Sequence, residues 1–291
     1  MTRMFIVMFL LAVVYLAFMG VLFVAHVPWA LILILAGGGL FIQYFFSDKL
    51  ALLSMGAKEV SASEAPELHG IVQRLAQQMD LPMPRIAIAQ TDIPNAFATG
   101  RSPKRAVVCC TTGIMRRLDT DELEAVLGHE LTHVRNRDVA VITFASFFAT
   151  VASFIMQWGF WLGLYGGGRR GRDRDSGNAF ILVYVASILV WIISFFLIRA
   201  LSRYRELAAD RGSAIVTGAP RHLESALMKI SQGMARIPNE DLRAKQTLNA
   251  FFIVPALTGG ASFSELFSTH PSLERRIAQL QRIQAELYGA R

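Results

Sequence analysis

Four long apolar stretches alternate with polar segments along the chain. Residues 4–25 carry no charged side chain over more than the about 20 positions that a helix needs to cross a bilayer. A second apolar stretch, Trp29 to Phe46, follows directly, which argues against a removable signal peptide. Two more stretches occupy Ala140 to Leu164 and Ala179 to Ile198. The pattern therefore predicts two hydrophobic hairpins and up to four transmembrane helices.

The polar segments between and after these hairpins have the pattern of a folded α+β domain. Residues 85–90, 95–100 and 105–110 predict three short strands, separated by turn residues and forming a small antiparallel sheet. A helix is predicted from Asp119 or Thr120, because acidic side chains fill its first turns and favour a helix N-terminus. Residues 200–291 are predicted to be helical, with one helix starting at Pro220 and a last one ending near Tyr288.

Composition and charge support a membrane protein. The chain is 53% hydrophobic and 18% charged, with a mean hydropathy of +0.41, which is too apolar for an ordinary soluble domain. The net charge of +7 does not indicate nucleic-acid binding, because the arginines are scattered and lack interleaved aromatic residues. Adjacent Cys109 and Cys110 cannot build a disulfide framework, since neighbours in a strand point to opposite faces.

Lysine and arginine positions predict the membrane topology. Arg3 precedes the first hairpin, and Lys49 and Lys58 follow it, so both of its ends are expected in the cytoplasm. The loop of the second hairpin runs against this rule if it is translocated. It carries four arginines, at positions 169, 170, 172 and 174. The second hairpin is therefore either fully transmembrane, in violation of the rule, or only partly inserted.

Candidate chemistry lies in "GHELTHVRNRD", residues 128–138. His129 and His133 are four residues apart, so on a helix both imidazoles project from one face and can bind one Zn²⁺. Glu130 lies beside them and is placed to act as general base on a water that the metal activates. This spacing predicts a zinc hydrolase site.

A third ligand is predicted in "RYRELAADR", residues 203–211. Glu206 would complete a His₂Glu set, and Asp210, one turn later, could accept a hydrogen bond from the other nitrogen of a zinc histidine. Two alternatives remain open: Asp210 is the ligand, or both carboxylates pair with arginines on the helix surface. Because His133 and Glu206 must meet at one ion, the residues between them must leave and return to the same side of the membrane.

In these motifs the chain resembles the HtpX-type membrane zinc endopeptidases, relatives of the CAAX prenyl endopeptidases. The resemblance covers nearly the whole chain and includes "PNAFATG", "YRELAADRGSA" and "STHPSLERRI" in the order of that family. It implies a mainly α membrane protein with an α+β zincin-like (gluzincin) catalytic domain and one zinc ion per chain. It also implies four parts: residues 1–48, a transmembrane hairpin; 49–138, the first part of the catalytic domain; 139–199, the second hairpin; and 200–291, the rest of the catalytic domain.

The same resemblance implies roles for individual residues. His129, His133 and Glu206 would bind zinc, Glu130 would be the catalytic base, and Asp210 would orient a ligand. Residues Asn95, Ala96, Phe97 and Ala98 would lie on an edge strand that pairs with an extended substrate. His270 and Arg276 would approach the cleft. His270 could donate to the developing oxyanion, although helix capping or packing is an alternative role for it.

The function implied is cleavage of misfolded or damaged membrane proteins at the cytoplasmic surface of a bacterial inner membrane, as part of the stress response. An intramembrane-cleaving protease is disfavoured, because "DTDELEA" and "RNRD" around the motif are too charged for bilayer depth. A metal-binding scaffold or transporter is disfavoured because it has no use for Glu130, and because the apolar stretches carry almost no ionisable residues. Polypeptides and the lipid bilayer are the expected partners.

Overall fold

The computed structural model describes residues 2–27, 30, 37–38, 41–42, 44–165, 174–237 and 268–289. Most of the second predicted transmembrane stretch, Trp29 to Phe46, lies outside these residues. The greater part of the arginine-rich loop, residues 166–173, also lies outside them. The described chain divides into two compact units: residues 1–43 with 141–201, and residues 44–140 with 202–291.

The first unit is built from apolar helices. Three helices in the described residues are long and apolar enough to cross a membrane, which confirms a membrane protein; the hydrophobic stretches are Met4–Val24, Asp138–Gln157 and Phe180–Thr217. Within this unit the Tyr15 ring packs 4.8 Å from the Phe148 ring, and its hydroxyl donates to the Ala145 carbonyl. The helices are α1 (Thr2–Val24), α6 (Asp138–Tyr165) and α7 (Arg174–Thr217); the last two extend into the second unit.

The second unit is an α+β domain. Its described helices are α2 (Ser47–Met55), α3 (Pro66–Gln78), α4 (Thr112–Arg117), α5 (Thr120–Arg135), α8 (Pro220–Met234) and α9 (Leu273–Tyr288). Its described strands are β1 (Ala57–Glu59), β2 (Arg85–Ala89), β3 (Ala96–Thr99) and β4 (Val107–Thr111).

The sheet has the order β1-β2-β4-β3, and its strand directions correct the prediction. We expected an antiparallel sheet, but β2 pairs with β4 in parallel, while β1–β2 and β3–β4 are antiparallel. After β2 the chain crosses to the edge of the sheet, forms β3 there and turns back into β4, which lies between β2 and β3. Residues Val107 to Thr111 are buried throughout, as a central strand requires. β3 is consequently an edge strand of the described sheet.

Helices cover both faces of this sheet. On one face a single apolar cluster joins α3, α5, α8 and α9 to the strands, with Leu75, Val108, Leu127 and Leu227 fully buried. On the other face α2 packs Leu52 and Met55 over a smaller cluster that includes Phe97 and Cys109. Helix α5 is thereby held against the edge strand, with its polar motif directed to that edge.

Candidate metal centre

The start of α5 is fixed by a capping box. The Asp119 side chain accepts from the Glu122 backbone N–H at 2.9 Å, and the Glu122 side chain accepts from the Asp119 N–H at 3.1 Å. Ser225 on α8 also donates to Glu122 at 2.6 Å. These hydrogen bonds fix the rotation of α5 about its own axis. That rotation determines the direction of the buried His129 side chain, ten residues after Asp119.

The structure brings His129, His133 and Glu206 together. One ligand atom of each lies within 4.8 Å of the others. The two Nε2 atoms are 3.1 Å apart, and the Glu206 carboxylate lies 3.7 Å from Nε2 of His129 and 3.4 Å from Nε2 of His133. Both Nε2 atoms and the carboxylate therefore converge on one point between α5 and α7.

The other nitrogen of each histidine faces the carboxylate of an aspartate. Nδ1 of His129 lies 2.9 Å from Asp210 on α7, and Nδ1 of His133 lies 2.7 Å from Asp138, the first residue of α6. An acceptor at Nδ1 fixes the proton there and leaves the Nε2 lone pair free for a metal. Both lone pairs are thereby aimed at the point where Glu206 lies.

This donor set fits a zinc ion. Two neutral imidazole nitrogens and one carboxylate are the ligands of a catalytic zinc site, which keeps a fourth position open for water or substrate. The two Nε2 atoms face each other at 3.1 Å, and both Nδ1 atoms are engaged by carboxylates, so a cation between the Nε2 atoms would bind both lone pairs. His129 and Glu206 are also buried, so that solvent does not satisfy them.

Glu130 lies between the metal-binding atoms and the edge strand. Its Oε2 accepts a hydrogen bond of 2.9 Å from the backbone N–H of Ala98 on β3. The side chain is only 5% exposed, and burial raises the pKa of its carboxyl group. A carboxylate with a raised pKa is suited to accept a proton and return it.

The edge-strand residues named from the sequence occupy different environments. Asn95 is buried before β3, and its backbone N–H donates to Thr111 Oγ1 at 2.9 Å. Ala96 and Ala98 pack with the cluster on the α5 face of the sheet, whereas Phe97 is buried on the α2 face. The strand therefore presents backbone, rather than the Phe97 ring, toward Glu130.

His270 and Arg276 both reach this site. Nδ1 of His270 lies 3.0 Å from Oε2 of Glu206, and its buried Nε2 has no hydrogen-bond partner among the described residues. Arg276 makes a bidentate contact with Asp210, at 2.9 Å through Nε and 2.6 Å through Nη2. Arg276 thus holds the aspartate that faces His129, a contact that the sequence did not predict.

Two residues of the site were missed by sequence reasoning. Asp138 lies against Nδ1 of His133, and Arg205 contacts the Asp138 carboxylate. Both lie within motifs noted in the sequence, "RNRD" and "RYRELAADR". Asp138 follows His133 by five residues. This separation is longer than one helical turn, so helical periodicity did not predict the contact.

The comparison with protein families agrees with this geometry. Residues 62–284 match the family described as Peptidase family M48. The matched range begins shortly before α3, ends within α9 and contains all the residues that converge at the site.

Individual relatives are similar over almost the full chain. "Protease HtpX homolog" of Moorella thermoacetica is 62% identical over 286 residues, which cover 98% of this chain and 94% of the relative. "Protease HtpX homolog 2" of Methanosarcina acetivorans is 56% identical over 285 residues, covering 98% and 95%. The crystal structure of S. mikatae Ste24p is similar in fold, with a TM-score of 0.59 at 15% identity over 96% of this chain and 67% of that one.

Proposed function

Because the chain belongs to peptidase family M48 and is a membrane metalloprotease, we propose that it is a zinc-dependent endopeptidase with its site at the cytoplasmic surface of the bacterial inner membrane. Its proposed substrates are misfolded or damaged membrane proteins, which places it in membrane quality control and the stress response. His129, His133 and Glu206 are the proposed ligands of one zinc ion per chain.

One observation carries this proposal: the ligand triad, the base and a strand edge lie side by side in one unit. The Nε2 atoms and the Glu206 carboxylate converge, and Glu130, next in sequence to His129, contacts the backbone of β3. An edge strand can pair with an extended polypeptide through its backbone. A peptide bond held along β3 would therefore lie beside Glu130 and the metal-binding atoms.

The roles of the residues follow from their positions. A bound zinc ion supplies Lewis acidity for attack on a peptide carbonyl. Glu130 accepts a proton from the attacking water at its carboxylate and delivers it to the departing amine. His270, buried beside Glu206, is the proposed hydrogen-bond donor to the oxygen on which negative charge develops. Because its Nδ1 faces the Glu206 carboxylate, this role requires a proton on Nε2 as well.

Asp210 and Arg276 hold the site in its active geometry. The Asp210 carboxylate keeps the proton of His129 on Nδ1, and the bidentate guanidinium of Arg276 fixes the carboxylate. Nη1 of Arg276 also lies 3.8 Å from Oε2 of Glu206. A substrate carbonyl group bound beside Glu206 would therefore lie near the positive charge of the guanidinium. Arg276 is therefore proposed to serve the substrate side as well.

The membrane location supports membrane proteins as substrates. Three long apolar helices belong to the same chain as the site, and α6 begins at Asp138, which contacts His133. The site therefore cannot diffuse away from the bilayer. Proteins with exposed segments at the same surface are held at high effective concentration relative to soluble ones.

The two other functions considered from the sequence are less well supported. Intramembrane cleavage would require the charged start of α5, with Asp119, Asp121 and Glu122, to lie at bilayer depth. A metal-binding scaffold or transporter would have no role for the hydrogen bond between Glu130 and the edge strand.

The proposal is tested with purified protein in detergent and an unfolded model polypeptide. We expect cleavage that is abolished by a chelator and restored by stoichiometric zinc. The chelated protein should keep its helical circular dichroism, so that loss of activity is not loss of fold. Cleavage that persists after complete removal of metal would overturn the zinc mechanism.

A further inference from the structure

A chain of three side chains runs from Nδ1 of His133, the ring nitrogen opposite the metal-binding Nε2, to an arginine. His133 Nδ1 lies 2.7 Å from Oδ2 of Asp138, and the other oxygen of Asp138 contacts the Arg205 guanidinium. The same guanidinium lies 3.3 Å from the carbonyl of Asn136 at the end of α5. All of these residues belong to the second unit.

Both charged groups are withdrawn from solvent. Asp138 is 8% exposed and Arg205 is 6% exposed. A buried ion pair is a weak contributor to stability, because desolvation of the two charges offsets their attraction. Its position on a metal-binding histidine therefore indicates a purpose other than stability.

The arrangement repeats the one at His129. There the chain runs from His129 Nδ1 to Asp210 and on to Arg276. At His133 it runs to Asp138 and on to Arg205. The two aspartates come from different helices, α7 and α6, yet each accepts from Nδ1 of one histidine and contacts one arginine.

We propose that Asp138 and Arg205 are positioning residues for the zinc site: Asp138 fixes the tautomer and ring orientation of His133, and Arg205 fixes the Asp138 carboxylate. This inference rests on the proposed zinc-dependent function. Arg205 immediately precedes Glu206 on α7. One turn of this helix therefore carries the proposed zinc ligand Glu206 and also the arginine that supports a second proposed ligand, His133.

The proposal has a structural consequence for α6 and α7. Asp138 is the first residue of α6, the helix whose apolar stretch begins the second hairpin, and Arg205 follows the apolar part of α7. The ion pair therefore joins the two polar ends of this hairpin at the ligand itself. The orientation of His133 is thereby supported by contacts from both helix ends.

The test compares zinc affinity in Asp138→Asn, Arg205→Met and the double variant with that of the wild-type protein. Zinc affinity is measured by chelator competition, and ligand geometry by the visible absorption of the cobalt-substituted protein. The thermal midpoint of the zinc-free protein reports folding. Arg74→Met is the matched control, because Arg74 also pairs with a carboxylate, Glu124 on α5, but lies 56% exposed on the surface.

We expect Asp138→Asn to weaken zinc binding by about 10 to 100-fold, the usual effect of losing a group that orients a ligand, and to change the cobalt spectrum. Arg205→Met should weaken it less, since Asp138 can still accept from His133. Arg74→Met should leave affinity and spectrum unchanged. Wild-type affinity and an unchanged spectrum in Asp138→Asn would overturn the proposal.

The double variant guards against a failure to fold. Asp138→Asn alone leaves the Arg205 charge buried without its partner, which can unfold the unit. Asp138→Asn with Arg205→Met removes both charges together, and its zinc affinity then decides the question by the same criterion. If the wild-type protein binds no zinc, the proposed function itself fails. If the wild-type protein binds zinc and the variants bind it equally tightly, this inference alone fails.

Discussion

Three of the four carboxylates near the two histidines are proposed to have different roles because their surroundings differ. Glu130 is buried beside the edge strand and accepts from the Ala98 backbone, so it is free to exchange a proton. Glu206 faces both Nε2 atoms and is placed to bind metal. Asp210 faces Nδ1 of His129 and is held by Arg276, and its proposed role is to orient that histidine. Side-chain direction, not residue type, separates these roles.

Replacing Glu130 by Gln should separate metal binding from catalysis. The amide keeps the shape of the side chain but cannot accept a proton, so we expect stoichiometric zinc and a loss of peptide hydrolysis of about 10² to 10⁴-fold. Zinc content and single-turnover cleavage measure the two effects. His129→Ala is the matched comparison, since it should lose both zinc and activity; full activity in Glu130→Gln would contradict the assignment of the base.

Glu206 and Asp210 should differ in a zinc titration. Glu206→Ala removes a proposed ligand and should weaken zinc binding severely. Asp210→Asn removes only an orienting charge and should cost about 10 to 100-fold. Asn is used at position 210 because Ala would leave the buried Arg276 guanidinium without its carboxylate-shaped partner. The reverse ranking would exchange the roles of the two residues.

The adjacent cysteines should be unreactive in the folded protein. Both are fully buried, and burial raises the pKa of Cys109 to about 12 and that of Cys110 well above its usual value. An unfolded cysteine has a pKa of about 8.5, so at pH 8 its thiolate fraction exceeds that of folded Cys109 by about three orders of magnitude.

We therefore expect iodoacetamide at pH 8 to label the denatured protein rapidly and the native protein very slowly. Because the unfolded thiols ionise first as pH rises, these two groups also lower the stability of the fold progressively above about pH 8.5. Mass spectrometry of alkylated peptides is the measurement. Native labelling at the denatured rate would contradict the burial of this strand.

The sequence predicted the site residues whose spacing matches one helical turn. His129 and His133, or Glu206 and Asp210, lie four positions apart and share a face for geometric reasons alone. Asp138 lies beyond the end of α5 at Asn136, after Arg137, whose positive φ of 55° turns the chain. That turn brings Asp138 back to His133, and no periodic pattern encodes it.

At the scale of elements, strand positions were easier to predict than strand directions. Apolar runs bounded by turn residues located β2, β3 and β4 to within about two residues, the usual error for element boundaries. Their pairing was not predictable in the same way, because a buried central strand is apolar on both faces whichever way its neighbours run. The mixed sheet arises from the route of the chain, out to the edge at β3 and back into β4.

Substituting Ala98 by Pro tests whether β3 contributes its backbone to catalysis. Proline removes the N–H that donates to Glu130, while edge strands tolerate proline on the side that faces away from the sheet. A hydrogen bond to a charged group contributes about 1.5–3 kcal/mol, so we expect hydrolysis to fall by about 10 to 100-fold with zinc affinity retained. Ala98→Ser, which keeps both the N–H and the size, is the control. Equal activity in the two variants would remove β3 from the mechanism.

At the scale of the whole molecule, the metal site restricts the membrane topology of the second hydrophobic hairpin. His133 lies before the second hairpin and Glu206 after it, yet the two side chains lie within ligand distance. The chain between them must therefore begin and end on one side of the membrane. This holds whether the hairpin crosses the bilayer or only enters it.

Helix length favours a full crossing. Helix α6 has 28 residues, about 42 Å at 1.5 Å per residue, against about 30 Å for a hydrocarbon core. Helix α7 continues without a break from Arg174 to Thr217. A re-entrant hairpin would need a turn near the bilayer centre, where backbone groups lack hydrogen-bond partners. Arginines favour the cytoplasmic side, so the free-energy cost of translocating the arginine-rich loop opposes a full crossing.

Cysteine probes test this topology in intact cells with a membrane-impermeant maleimide. Lys58→Cys, Arg135→Cys and Arg211→Cys should all be protected from outside and label only after permeabilisation, because all three belong to the unit that contains the metal site, which we propose faces the cytoplasm. Ser176→Cys should label from outside, because α6 is long enough to carry the chain across. The native cysteines, buried in β4, supply an unlabelled background. Labelling of Ser176→Cys from the inside would mean that the arginines dominate and the hairpin is re-entrant. Opposite faces for Arg135→Cys and Arg211→Cys would be incompatible with the metal site itself, since His133 and Glu206 could not then bind one ion.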